Sequence, residues 1–154
     1  MRMIDVGAKP KTERVAIARG GVSMAAATVA RIVKGDVEKG DVLAAARIAG
    51  IMAAKKTPDI VPLCHPIALS GVEVEATAGK HGVEIVATVR TVDRTGVEME
   101  ALAAVAAGCL TVYDMLKRYE RGMTIERMEL LEKSGGRTGL WQREPARAKR
   151  PKRV

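Results

Sequence analysis

The chain has 154 residues and a mass of 16.4 kDa, 47% of it hydrophobic and 29% charged, a balance that gives one globular domain with a core of its own and excludes disordered and fibrous classes. No window approaches about eighteen uninterrupted apolar residues and the N-terminal MRMIDVGAKPKTER has no apolar signal core, so neither a spanning helix nor a secretory leader is expected, and the expected address is the cytoplasm. The net charge of +8 is concentrated: residues 143–154 carry six Lys or Arg against Glu144 alone, five of the eight charges, which leaves the body at +3.

Two short β-compatible runs, 3–7 and 15–19, flank a polar loop over 9–14. Ser23 is a good N-cap for the Ala-rich helix MAAATVARIVK, which Gly35 is placed to close. Asp41 caps a second helix, VLAAARIAGIMAAKK; Lys55 and Lys56 sit where its dipole favours cations, and Pro58 stops it. In DIVPLCHPIAL, Pro62 and Pro66 remove donors and restrict their neighbours, so Leu63, Cys64 and His65 are expected in a stiff, extended stretch.

GVEVEATA and VEIVATVRTV alternate with period two about a turn at 79–82 and read as a hairpin. Thr95 and Glu98 have capping-box spacing at the head of EMEALAAVAAGCLTVYDMLKRYE, a helix apolar almost all round in its middle and therefore central. MTIERMELLEK is compatible with a last strand, and KSGGRTG with a flexible exit. This order predicts an α+β fold, ferredoxin-like, with a mainly antiparallel sheet and helices packed on one face. Residues 1–141 form the single domain, and residues 142–154 a basic, solvated, disordered tail.

Motifs exclude more than they include. No GxxxxGK[ST] loop, GxGxxG, HExxH or GxSxG occurs, which removes the large nucleotide and hydrolase superfamilies. Cys64 and Cys109, with His65 and His81, cannot assemble an ordinary zinc site, and no metal site is expected. With no Phe, one Trp and two Tyr, the body offers few stacking faces, so nucleic-acid binding is disfavoured; a basic module acting through its tail is the rival reading.

The remaining chemistry lies in polar residues in apolar settings. Asp114 and Lys117, three apart on the long helix, share a face among Val112, Met115 and Leu116 and are expected to be partly buried, as a structural ion pair or as an acid/base couple. The capping box accounts for Glu98, whereas Glu100 has no such explanation. Fourteen helical steps separate Glu100 from Asp114, about 21 Å along the axis, so a site using both needs two subunits. His65 is open to a structural or a catalytic role. Lys39 lies at the unfavourable end of a helix dipole, a local conflict of the kind that marks functional sites. The segments 39–41 and 133–136 are candidate phosphate contacts.

In order along the chain, MIDVGAKPKTERVA, KGDVLAAARIAGIMAAKKTPDIVPLCHP, TGVEMEAL, YDMLK and KSGG resemble the cyclic pyranopterin monophosphate synthases of molybdenum cofactor biosynthesis. The resemblance implies a ferredoxin-like subunit in a hexamer built as a trimer of dimers, with active sites at the dimer interface and no membrane association. It implies conversion of a 3′,8-cyclo-7,8-dihydroguanosine triphosphate to cyclic pyranopterin monophosphate, with release of diphosphate and no net redox change. It makes Asp114, Lys117 and Lys39 the catalytic residues, and Leu63, Cys64, His65, Glu98, Met99, Glu100, Arg14 and Lys133 the substrate contacts, Arg14 reaching in from the neighbouring subunit. No obligatory protein-bound cofactor is expected; a Mg²⁺ ion carried on the substrate phosphates is compatible with the sequence.

Overall fold

Alternation along one central strand organises the molecule. In the computed structural model, which describes residues 1–144, β1 (Thr12–Ser23) buries Ala16, Ala18 and Val22 on one face and leaves Val15, Ile17 and Arg19 half-covered on the other. The strand pairs antiparallel with β3 (Gly82–Asp93) on one side and β4 (Thr124–Ser134) on the other. β2 (Leu69–Gly79) adds to β3 as the expected hairpin, and β5 (Trp141–Gln142) adds to β4. The sheet order is therefore β2-β3-β1-β4-β5, and the first four strands in this order, with helices in the crossovers, make the ferredoxin-like pattern.

Residues 3–7 form no strand. Asp5 accepts a hydrogen bond from the Gly7 amide at 2.8 Å, and Lys9 N–H reaches the Val6 carbonyl, so the segment turns on itself while Met3 and Ile4 stay exposed. Both flanks of β1 are already occupied, so this run has no partner there.

Helix α1 (Ala26–Lys34) begins three residues beyond the predicted cap. Ser23 is taken by the sheet, where it pairs with Thr124, and the Glu120 carboxylate does the capping instead, accepting from the Ala25 amide at 3.0 Å and the Thr28 hydroxyl at 2.6 Å. Gly35 closes α1 with φ 69°, as expected. Asp41 caps α2 (Val42–Ala54) through the Ala44 amide at 2.9 Å. Pro58 ends α2 and also opens the short helix α3 (Thr57–Ile60), since a proline is tolerated in a first turn. Residues 61–68 follow without strand pairing until β2.

Helix α4 (Glu98–Leu116) carries the core. Ala101, Ala104, Val105, Cys109, Val112 and Leu116 are fully buried against the sheet and α2, while Met99 and Leu110 face outward. It is long and apolar enough to cross a membrane by composition, yet half of that window is buried inside this domain. Close approach depends on small residues: a Cβ at Gly50 would lie 3.0 Å from the Ala104 carbonyl, and one at Gly20 would lie 2.6 Å from Val105 Cγ1. The capping box is absent. Val97, not Thr95, is the N-cap, with no side-chain bond, because Glu98 is engaged elsewhere. Gly135 and Gly136 turn the chain after β4, and the sheet takes in Gln142, one residue past the expected end of the domain. The remainder of the expected tail, 145–154, lies outside the described residues.

Gly20→Ala is expected to cost about 1–3 kcal/mol by overpacking, measured by urea unfolding. The double variant with Val105→Ala should lose less than the sum of the two singles, because the second change removes the clashing methyl.

Candidate active site

The two polar ends of α4 build two separate clusters. At its C-terminal end the Asp114 carboxylate accepts from Lys117 Nζ at 2.7 Å on one oxygen and from Lys39 Nζ at 2.5 Å on the other. Lys39 comes from the connection between α1 and α2 and also reaches the Asp114 carbonyl at 3.2 Å. The three predicted catalytic residues thus meet around one carboxylate. They are not buried in the single chain: the Asp114 and Lys117 side chains are 52% and 54% exposed, because Met115 and Leu116 between them take the inward positions at this end of α4. The hydrogen bond from Lys117, then that from Lys39, pulls the Asp114 pKa down to about 2, and Asp114 in turn raises that of Lys117.

At the N-terminal end, Leu63, Cys64, His65, Thr95, Gly96, Glu98 and Met99 line a cavity of about 330 Å³. Glu100 lies beneath it, 2% exposed; its Oε1 accepts from the Cys64 thiol at 3.5 Å and its Oε2 has no hydrogen-bond partner among the described residues. Burial raises the Glu100 pKa, and burial reinforced by Glu100 pushes the Cys64 thiol up to about 11. The thiol is therefore a poor nucleophile.

A second hollow of about 690 Å³ shares Thr95, Gly96 and Glu98 with the first, and Arg14 and Lys133 line it. Glu98 is bonded to Lys133, which explains the missing capping box. Sequence reasoning missed three cations here, Lys9, Arg94 and Arg137. Arg94 had a readable signal: it stands just ahead of a helix start, the same dipole conflict that singled out Lys39. Its guanidinium bonds the Gly7 carbonyl, and its own carbonyl accepts from Arg14 at 3.3 Å. Five cations around Glu98 make this hollow suited to a polyanion. A further hollow, about 730 Å³ on the helix-free face among Arg19, Arg127, Glu129 and Arg143, contains none of the predicted residues. Among the described residues no three His, Cys, Asp or Glu side chains converge as a metal-binding group.

A ferredoxin-like domain with an ammonium–carboxylate–ammonium triad at one end of its central helix and a cationic hollow at the other defines an acid/base enzyme for an anionic substrate. The chain belongs to the MoaC family, whose model matches residues 3–136. It is 57% identical over 150 residues to the cyclic pyranopterin monophosphate synthase of Thermomicrobium roseum, covering 96% of this chain and 90% of that protein. Proteins of the same name from Novosphingobium aromaticivorans and Roseiflexus sp. are 55% and 57% identical, covering 92% and 90% of this chain and 90% and 89% of theirs.

The raised pKa of Glu100 has a testable sign. The folded protein holds this proton more tightly than the unfolded chain, so the group's contribution to stability is complete below the ordinary glutamate value and falls as pH rises through it toward the folded value. Glu100→Gln does not titrate, so its stability relative to wild type should improve from about pH 4 to about pH 7 in urea denaturation. A difference independent of pH would show that Glu100 titrates alike in both states.

Proposed function

We propose that this protein is a cyclic pyranopterin monophosphate synthase, which converts (8S)-3′,8-cyclo-7,8-dihydroguanosine 5′-triphosphate to cyclic pyranopterin monophosphate and diphosphate. The observation that carries the reading is the meeting of Lys39 and Lys117 on Asp114 in a chain so similar to synthases of that name. Because Asp114 is ionised well below neutrality, it holds both ammonium groups at hydrogen-bond distance, placed to deliver protons to the ring being opened and rebuilt. No electrons leave the substrate, so the reaction is lyase chemistry without net redox.

Ring rearrangement moves protons, and cyclisation moves phosphorus. A sugar hydroxyl gives up its proton to solvent as its oxygen forms a bond to the innermost phosphorus, the bond from that phosphorus to the bridging oxygen breaks, and the electron pair leaves on diphosphate. Negative charge builds on the phosphate oxygens during this step, and Arg14 and Lys133 supply opposing charge, with Arg94 near them. Leu63, Cys64, His65, Met99 and Glu100 then hold the pterin end, with Glu98 keeping Lys133 in place. The reading needs no resident cofactor; a Mg²⁺ ion arriving on the triphosphate fits an anion carried among cations. It assigns a cytoplasmic address, since the substrate derives from GTP.

The two clusters serve one substrate only if a second copy brings its own helix end alongside. Supporting this are the axial separation of about 21 Å between Glu100 and Asp114, the exposure of Met99 and Leu110 on the uncovered flank of α4, and the half-exposed state of the catalytic triad. The reading therefore includes a homo-oligomer with shared sites, a hexamer built as a trimer of dimers.

Asp114→Asn and Lys117→Ala should each fold and assemble yet form no product from the cyclic triphosphate in a single turnover, followed by pterin fluorescence after oxidation. Near-normal product from either would remove that residue from the mechanism. Truncation after Glu144, which keeps β5, should leave turnover intact; loss of turnover together with loss of RNA or DNA binding would favour the rival tail-driven module. Refolding Lys117→Ala chains with Arg14→Ala chains in equal amounts should restore about a quarter of wild-type activity, because half of the dimers are mixed and each of these holds one intact site. No recovery on mixing would place each site within a single chain.

A further inference from the structure

Lys39 reaches Asp114 from a connection that has no regular structure of its own, so something must hold that connection in place. It runs from Gly35 to Asp41, turns at Gly40 with φ 98°, and is anchored in the core only by Val37, 7% exposed. The turn following α4 supplies the remaining hold. The Tyr119 hydroxyl accepts the Glu38 amide at 3.0 Å, one residue from Lys39. The ring of Tyr119 packs on the core and carries the Arg31 guanidinium 4.6 Å above it, while Arg31 also bonds Asp36 of the same connection at 2.6 Å. Arg118 pairs with the Glu38 carboxylate, but both side chains are largely exposed, and such pairs contribute little.

We propose that Tyr119 is a positioning residue for Lys39: its hydroxyl fixes the backbone beside the lysine, so that the ammonium is delivered to Asp114 by the same turn that carries Lys117. Lys117 needs no such help, because it lies one helical turn from Asp114 on the same element. Lys39, 75 residues away in sequence, does. The groups that bear on the Asp114 carboxylate are Lys117 from its own turn and Lys39 from the α1–α2 connection; Tyr113 bears on Lys117, and Asp36, Glu38, Arg31 and Arg118 surround the connection. Freeing the connection therefore removes one of the two cations that hold Asp114 ionised.

Tyr119→Phe keeps the ring under Arg31 and deletes only the hydroxyl. The inference rests on the proposed function for its kinetic arm and not for its spectroscopic one. In the full-length, assembled protein the titration midpoint of the Asp114 carboxyl carbon, read by NMR, should climb from about 2 toward the ordinary carboxylate value. Turnover should fall about fivefold with KM changed less than about twofold, the factor that one net hydrogen bond carries. In a Lys39→Ala background the same substitution should change neither quantity further. Glu38→Gln, which keeps the amide and breaks only the ion pair, should leave midpoint and turnover as in wild type. An unmoved midpoint in Tyr119→Phe, an equal effect in the Lys39→Ala background, or an equal effect from Glu38→Gln would each overturn the proposal. A moved midpoint with unmoved turnover would uphold the positioning and remove Asp114 from catalysis.

Discussion

The seating of α4 on the sheet is the constraint from which the site follows. Its inward positions, Ala101, Ala104, Val105, Gly108, Cys109, Val112 and Leu116, recur at helical spacing and are small wherever backbone comes close. Gly20 on β1 and Gly50 on α2 complete the seam, and neither position has room for a methyl group without movement of a neighbour. A helix held over this length cannot slide or bend toward itself. Its polar ends are thereby fixed on opposite sides of the domain, and each must recruit partners from whatever connection passes nearby: the 39–41 segment at one end, the 61–68 segment and the end of β4 at the other.

The two ends differ in solvation, and this gives like residues unlike behaviour. Asp114 stands in water between two ammonium groups and stays ionised far into acid. Glu100 is removed from water, has one weak thiol donor and one oxygen without a partner among the described residues, and resists ionisation. Two carboxyl groups on one helix are thus pushed in opposite directions by environment alone, the pattern that lets a single fold run acid and base steps near neutrality. A guest that fills the cavity above Glu100 would meet a desolvated carboxyl group that resists taking on charge. One that reaches Asp114 would meet fixed charge.

Features encoded in neighbouring residues were legible in the sequence. Asp41 and Gly35 act as caps where expected, the β2–β3 hairpin follows from its alternation, and the long apolar helix is central. The chain order of these elements was enough for the ferredoxin-like arrangement. What failed was every local rule overridden by a partner distant in sequence. Ser23 lost its capping role to pairing with Thr124; Glu98 left the capping box for Lys133; residues 3–7 had the composition of a strand and no free edge at β1 to join. The cations Lys9, Arg94 and Arg137 were overlooked because their shared hollow is closed by three separate segments, and no spacing within one segment announces it. The expected burial of Asp114 and Lys117 erred for another reason: Met115 and Leu116 between them point inward, so the polar positions on either side point out.

Lys39 shows how a local conflict is settled by a second element. Judged against α2 it is misplaced, a cation one residue ahead of Gly40 and two ahead of the N-cap, where the dipole favours negative charge. Judged against α4 it is well placed. Its ammonium lies at that helix's C-terminal end and bonds the carbonyl of Asp114, one of the last four carbonyls, which lack partners within the helix. The same atom thus meets a side-chain carboxylate and the negative pole of the core helix, and both outweigh the repulsion from the helix it precedes. The sequence carried the conflict at Lys39. Its resolution required the tertiary fold, because only the packing of α2 beside α4 brings the start of one helix to the end of the other.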